Sequence, residues 1–292
     1  MKKRIIFSII LILSLFFAAD LLAQEQNKVK LEYNFRSGAK FHYKMRIDGD
    51  VGITVTPPAG GSLPKNEAKL QGEFEYTQYV TFVNPKDKSA QIDIIYGACS
   101  MNTIIDDRAI PNPDVPALKD KKAVIHVASG GKVLDYQMPE GLPLSMQKAD
   151  FKRMFVAFPE RELKIGESWI DDEGQQEEHN EGLDRKIGSV ATYTFAGIEK
   201  RGGYKCAKIK FESKTESYSK SKATLTSIET KVEGRVDGFI YYDTSSGNIV
   251  YSDLHTKINN IVTTQEKEDE RKEAEVTSTN VETYLRTITE LL

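Results

Sequence analysis

Cysteine, tryptophan and histidine are scarce: the 292 residues hold two, one and four of them. Two cysteines exclude a disulfide-dense scaffold and a cysteine-ligated zinc domain. Four scattered histidines supply no spaced ligand set, and no His-Glu-x-x-His run occurs. No sign of charge predominates: 40 Lys and Arg stand against 43 Asp and Glu, a formal −3. That balance excludes the basic stripe on which nucleic-acid binding depends. The phosphate-cradling glycine loops and the G-x-S-x-G elbow are missing. What remains, 39% apolar and 28% charged residues, suits a globular chain.

The single long apolar run lies at the start. Lys2, Lys3 and Arg4 precede residues 5–19, and a small-residue exit ends at Ala23 before Gln24. This is the layout of a secretory signal peptide. The run falls short of the roughly 20 residues that span a bilayer, and Asp20 closes it. An uncleaved anchor is the alternative. The expectation is a signal peptide at 1–23 and one domain at 24–292, exported to the periplasm or beyond the cell. No later stretch is apolar enough to cross a membrane as a helix.

From residue 28 onward, apolar and polar residues alternate. Val29, Leu31, Tyr33 and Phe35 interleave with Lys30, Glu32 and Asn34. Past Gly38, Phe41, Tyr43, Met45 and Ile47 interleave with His42, Lys44 and Arg46. Successive strand side chains point to opposite faces, so each stretch has one apolar and one wet face. The two together read as a hairpin. Phe74, Tyr76, Val80 and Phe82 share a face of a further strand. Residues 190–200 and 204–213 flank Arg201-Gly202-Gly203 as another hairpin. In 226–240, Ile228, Val232, Val236 and Ile240 oppose Glu229, Lys231, Glu233, Arg235 and Asp237. Gly234 and Gly238 on the apolar side call for curvature or a crowding neighbour. Val250, Leu254, Ile258 and Val262 continue the inner face. The charged stretch 265–275 reads as a solvated hairpin tip before a last strand at 276–289, with a short exposed helix there as the alternative. Strands this long exceed the usual five or six residues. The fold expected is mainly β: a strongly curved antiparallel sheet or half-barrel of long strands.

One or two short helices are expected on the concave side. Leu144, Phe151, Met154, Phe155 and Phe158 fall at steps of three and four between Pro143 and Pro159. Residues 56–68 and 106–122 read as surface loops. The acidic stretch 175–185 reads as a connector that could hinge two halves, although one continuous sheet is the preferred reading.

Three stretches carry a resemblance: 158–169, from Phe158-Pro159-Glu160 to Ser168-Trp169; 191–200, followed by Cys206-Ala207-Lys208-Ile209; and 238–252, around Tyr241-Tyr242-Asp243. In this order they resemble an uncharacterised family of exported bacterial proteins. The long-strand layout also resembles, in architecture, the half-barrels of periplasmic lipoprotein carriers. That second resemblance implies a concave sheet able to hold an acyl chain. Neither supplies catalytic residues.

Catalytic and metal chemistry finds little support. Asp171, Asp172, Glu173, Glu177, Glu178 and His179 cluster without calcium-loop spacing, which favours a wet acidic loop. Ser145-Met146-Gln147-Lys148 matches S-x-x-K, but its Lys-Thr-Gly and Ser-Asp-Asn partners are lacking. No cofactor or metal is expected. Cys99 and Cys206 are a candidate disulfide, with two free thiols as the alternative. Phe151, Met154, Phe155, Phe158 and Trp169 are the candidate ligand-binding residues, as lining or plug of a trough. The function expected is a non-enzymatic envelope protein, either a carrier for a lipid or apolar small molecule or a scaffold for an envelope partner. Two alternatives stand beside it. One is an exported hydrolase built on Asp106, Asp107, Asp171 and Asp172; the other is a purely structural surface module.

Overall fold

The computed structural model describes residues 28–58, 60–137, 154–180, 183–222, 225–266 and 274–292. The expected signal peptide lies outside these residues, as do Phe151 and most of the expected helix. In chain order the strands are β1 (Lys28–Val29), β2 (Lys40–Thr56), β3 (Asn66–Val83), β4 (Ala90–Ile105), β5 (Arg108–Pro111), β6 (Lys122–Val127) and β7 (Val133–Gln137). They continue as β8 (Leu163–Lys164), β9 (Ser168–Asn180), β10 (Leu183–Arg201), β11 (Tyr204–Lys222), β12 (Thr226–Asp243), β13 (Asn248–Glu266) and β14 (Glu275–Leu291). Twelve form one antiparallel sheet, β7-β6-β4-β3-β2-β14-β13-β12-β11-β10-β9, with β5 paired to the end of β4. β1 and β8 make a separate two-stranded ribbon. The fold is the expected one: mainly β, antiparallel, with strands of up to 19 residues.

Alternation sets the two faces. One face of β2, β3, β11 and β12 carries Tyr43, Tyr76, Ile209 and Ile240, all in the main core. The opposite face of β2 carries Lys44, Arg46, Asp48 and Asp50, and that of β12 carries Glu229 through Asp237 at alternate positions. Cross-strand pairs tie this wet face together, among them Arg286 to Asp253 at 2.9 and 2.7 Å and Lys44 to Glu73 at 3.1 Å. Exposed pairs of this kind contribute about 0–1 kcal/mol each.

The core sits at one end of the long strands, around an aromatic plug. Tyr33 stacks on Phe35 with ring centroids 5.2 Å apart and meets Phe155, Phe158 and Tyr242 at 5.6, 5.5 and 5.3 Å. The plug joins the two free edges of the sheet. The Phe158 N–H donates to the Gly130 carbonyl at 2.6 Å, in the β6–β7 turn. The Phe158 ring lies 6.2 Å from Trp169 on β9, the other edge strand. The sheet is therefore rolled, apolar face inward, with the plug bridging its seam. Gly131 is required there: its φ is +90°, and a Cβ would sit 2.1 Å from the Val156 carbonyl oxygen.

Four local expectations are corrected. Leu31, Tyr33 and Phe35 alternate but do not pair with β2 as a hairpin. The Tyr33 N–H goes to the Ser129 carbonyl at 2.9 Å, and the segment runs inside the roll. The described end of the expected helix, 154–158, is irregular. Its N–H groups bind tertiary partners instead of carbonyls one turn back: Val156 to the Tyr33 hydroxyl at 2.8 Å, Phe158 to Gly130. Among the described residues the only helical piece is the 3-10 turn Pro116–Leu118. Phe82 does not share the face of Val80. A bulge between them turns it outward, and it is 55% exposed. Val250 likewise leaves the inner face at a bulge opposite Tyr241 and Tyr242, where Ile249 takes its place. The described residues of 175–185 belong to β9 and β10. Of the two inner glycines, Gly238 is crowded, with a Cβ falling 2.1 Å from the Asp253 carbonyl oxygen, whereas Gly234 has only ordinary contacts.

Candidate functional site

Sequence reasoning marked Met154, Phe155, Phe158 and Trp169, and the structure brings them together. Phe155 and Phe158 are buried in the plug, and Met154 packs against it. Trp169 is 8% exposed, stacks on Tyr193 at 5.3 Å and donates its indole N–H to the Ala157 carbonyl at 2.7 Å. A buried Trp whose N–H is satisfied by backbone is packed core. These residues close one end of the roll instead of lining an opening.

The strands run well past the plug, and there the inner face changes character. Ile47, Val51, Ile53 and Val55 of β2 are only half-buried. So are Val232 and Val236 of β12, and Leu254, Ile258 and Val262 of β13. On β11 the inner row becomes hydroxylic: Ser213, Thr215, Ser217 and Ser219, with the Ser189 and Thr215 hydroxyls 3.3 Å apart. Beyond the plug the inner surface thus carries aliphatic side chains on β2, β12 and β13 and hydroxyls on β11. Alternation in 226–240 and 250–262 pointed to part of this lining. The β2 contribution beyond Ile47 was missed, although Val51, Ile53 and Val55 continue the same period.

The carboxylates of the hydrolase alternative have local roles. Asp106 and Asp107 have φ of +48° and +61° in the tight β4–β5 turn, a conformation Asp tolerates better than most residues. They line a cavity of about 420 Å³ with Asp50, Lys65, Glu67 and Tyr284, and Asp171 is not among its walls. Asp171 stands on β9 opposite Ala191, eight strands away in the sheet order. The side chain of Asp172 lies outside the described set. Among the described residues, no three His, Cys, Asp or Glu side chains converge to hold a metal.

The cysteines are free and buried. Cys99 belongs to the inner core, while Cys206 lies on the outer face with Tyr241 and Val250. The sheet itself separates them, so the candidate disulfide is not formed. Burial, and after it the nearby Asp243 carboxylate, pushes the Cys206 thiol up to about 11. Iodoacetamide at pH 8 is expected to leave Cys206 unmodified in the native protein and to modify both thiols in denaturant, as read by mass spectrometry. The intact mass should be the same with and without reductant.

No protein-family model matches the chain, and no curated relative does either. Solved structures similar to it include OccK7 (OpdD) of Pseudomonas aeruginosa, 5% identical, covering 87% of this chain and 99% of that one at a TM-score of 0.21. OpdK of Pseudomonas aeruginosa, solved with vanillate, is 6% identical, with 84% and 98% covered at 0.16. The toluene transporter TodX of P. putida is 6% identical, with 88% and 91% covered at 0.14. At these TM-scores the likeness carries no argument. The polarity of the faces does. A membrane-spanning barrel turns apolar side chains outward, and this sheet turns outward the charges of β2 and β12. Among the described residues no helix is long and apolar enough to cross a membrane.

Proposed function

We propose that the protein is an exported, non-enzymatic envelope module that holds an elongated apolar ligand in its inner trough. One observation carries the reading: rows of aliphatic side chains on β2, β12 and β13 face inward past the plug yet stay half-exposed. Leaving such surface wet forgoes about 25 cal/mol per Å², and a bound acyl chain recovers that gain. Apolar concavities with a few polar groups are common small-molecule sites. The secretory layout of residues 1–23 and the resemblance to exported bacterial proteins support an exported address.

The test is extraction of the purified protein into organic solvent, followed by mass spectrometry, and titration of the delipidated protein with dodecanol. A co-purifying single-chain or two-chain lipid, with saturable dodecanol binding, is expected. A clean extract with no dodecanol binding would defeat the carrier reading and leave a scaffold for an envelope partner.

A further inference from the structure

We infer that the trough selects a fatty carboxylate and seats its head on Arg185; this rests on the binding reading above. The aliphatic side offers no charge. Inner positions 47–55 of β2, 228–236 of β12 and 254–264 of β13 are all uncharged. The inner row of β10 runs from the plug outward as Tyr193, Ala191, Ser189 and Ile187, then ends its described side chains at Arg185. No bulge interrupts β10 between Tyr193 and Arg185 in its pairing with β11, so the register sets Arg185 on the inner face, opposite Ser219.

Arg185 is half-buried. Among the described residues it makes no hydrogen bond or ion pair, whereas its outward neighbours Asp184 and Lys186 are both engaged. A guanidinium drawn partly out of water gains from a paired anion, and its planar fork matches a carboxylate with two parallel hydrogen bonds. The Ser217 and Ser219 hydroxyls of the adjacent strand stand at the same level and can donate to the same head.

Dimensions agree. From Arg185 to Tyr193, eight residues at roughly 3.3 Å each give about 26 Å. One leaflet of a bilayer core, the reach of a single acyl chain, is about 15 Å. A chain with its carboxylate on Arg185 therefore lies wholly within the trough and ends short of the Trp169–Tyr193 stack.

The experiment compares dodecanoate with dodecanol, equal in chain and different in charge, on the delipidated full chain by calorimetry at pH 8. The wild type should prefer dodecanoate by about tenfold or more, the scale of one charge-assisted hydrogen bond. Arg185→Gln should abolish that preference by weakening dodecanoate far more than dodecanol, and Arg185→Lys should retain part of it. Retained dodecanol binding also certifies that the variant is folded. Equal affinity of the wild type for both ligands would overturn the assignment to Arg185 and leave the trough standing. A preference surviving in Arg185→Gln would overturn it too. Tighter binding of dodecyl phosphate than of dodecanoate would replace the carboxylate by a phosphate head. Binding of none of these ligands would defeat the trough itself.

Discussion

Phe158→Ala is expected to cost about 3–5 kcal/mol, the range for emptying a fully packed aromatic site. Phe158 is 7% exposed and contacts Tyr33, Trp169 and Tyr242 with ring centroids 5.5, 6.2 and 4.7 Å away. Its position makes the loss larger than packing alone. The ring fastens β9 to the plug, while the N–H of the same residue fastens the plug to the β6–β7 turn. Removing the ring opens a cavity at the seam of the roll and frees an edge strand, β9, whose Ile170 is already exposed. A freed apolar edge invites pairing between molecules. The variant should melt roughly 10 °C lower and aggregate on heating. Urea unfolding followed by far-UV circular dichroism gives the energy, and Trp169 emission reports the seam directly. Phe158→Leu keeps part of the volume and should lose clearly less. A change below about 1 kcal/mol in Phe158→Ala would mean that the segment does not close the roll.

The strands were legible because alternation with period two is a direct record of which face meets water. In 226–240 the split between Val232 or Val236 and Glu233 or Arg235 is the split seen in space. The hairpin at Arg201-Gly202-Gly203 was legible from its glycines, and the turn after Asp243 obeys Asx chemistry. Asp243 is tied to both Ser245 and Ser246 by backbone and hydroxyl hydrogen bonds. Alternation says nothing, however, about what a strand-like segment pairs with. Leu31-Glu32-Tyr33 reads as wall and serves as filling, since an extended segment inside a roll buries the same side chains as one in its wall. Bulges are also invisible to periodicity. A single unpaired residue reverses the faces beyond it, which is why Phe82 and Val250 were assigned to the wrong side. The apolar spacing around Met154, Phe155 and Phe158 suits a helix, but the Tyr33 hydroxyl and the Gly130 carbonyl, far away in sequence, claim the backbone. Aromatic content marked the plug, while the inner rows beyond it carry plainer Val, Ile, Ser and Thr.

The trough makes a separate demand, that binding and stability respond to different residues. Val232 lies half-buried on the inner face, opposite Ser217 of β11 and Asn260 of β13. Val232→Asp should change stability by less than about 1 kcal/mol, because in the unliganded protein the carboxylate still reaches water. Binding should behave differently. An acyl chain laid over β12 would strip that carboxylate of water, at an effective penalty of several kcal/mol per ion. Dodecanol affinity should therefore fall at least about 100-fold, and a neutral ligand removes charge repulsion as the cause. Glu233→Gln, one residue along and facing outward, should leave dodecanol affinity unchanged. Phe158→Ala and Val232→Asp thus separate what holds the roll shut from what the roll holds. Should Val232→Asp bind dodecanol as the wild type does, the ligand does not lie along β12, and the half-exposed aliphatic rows need another explanation.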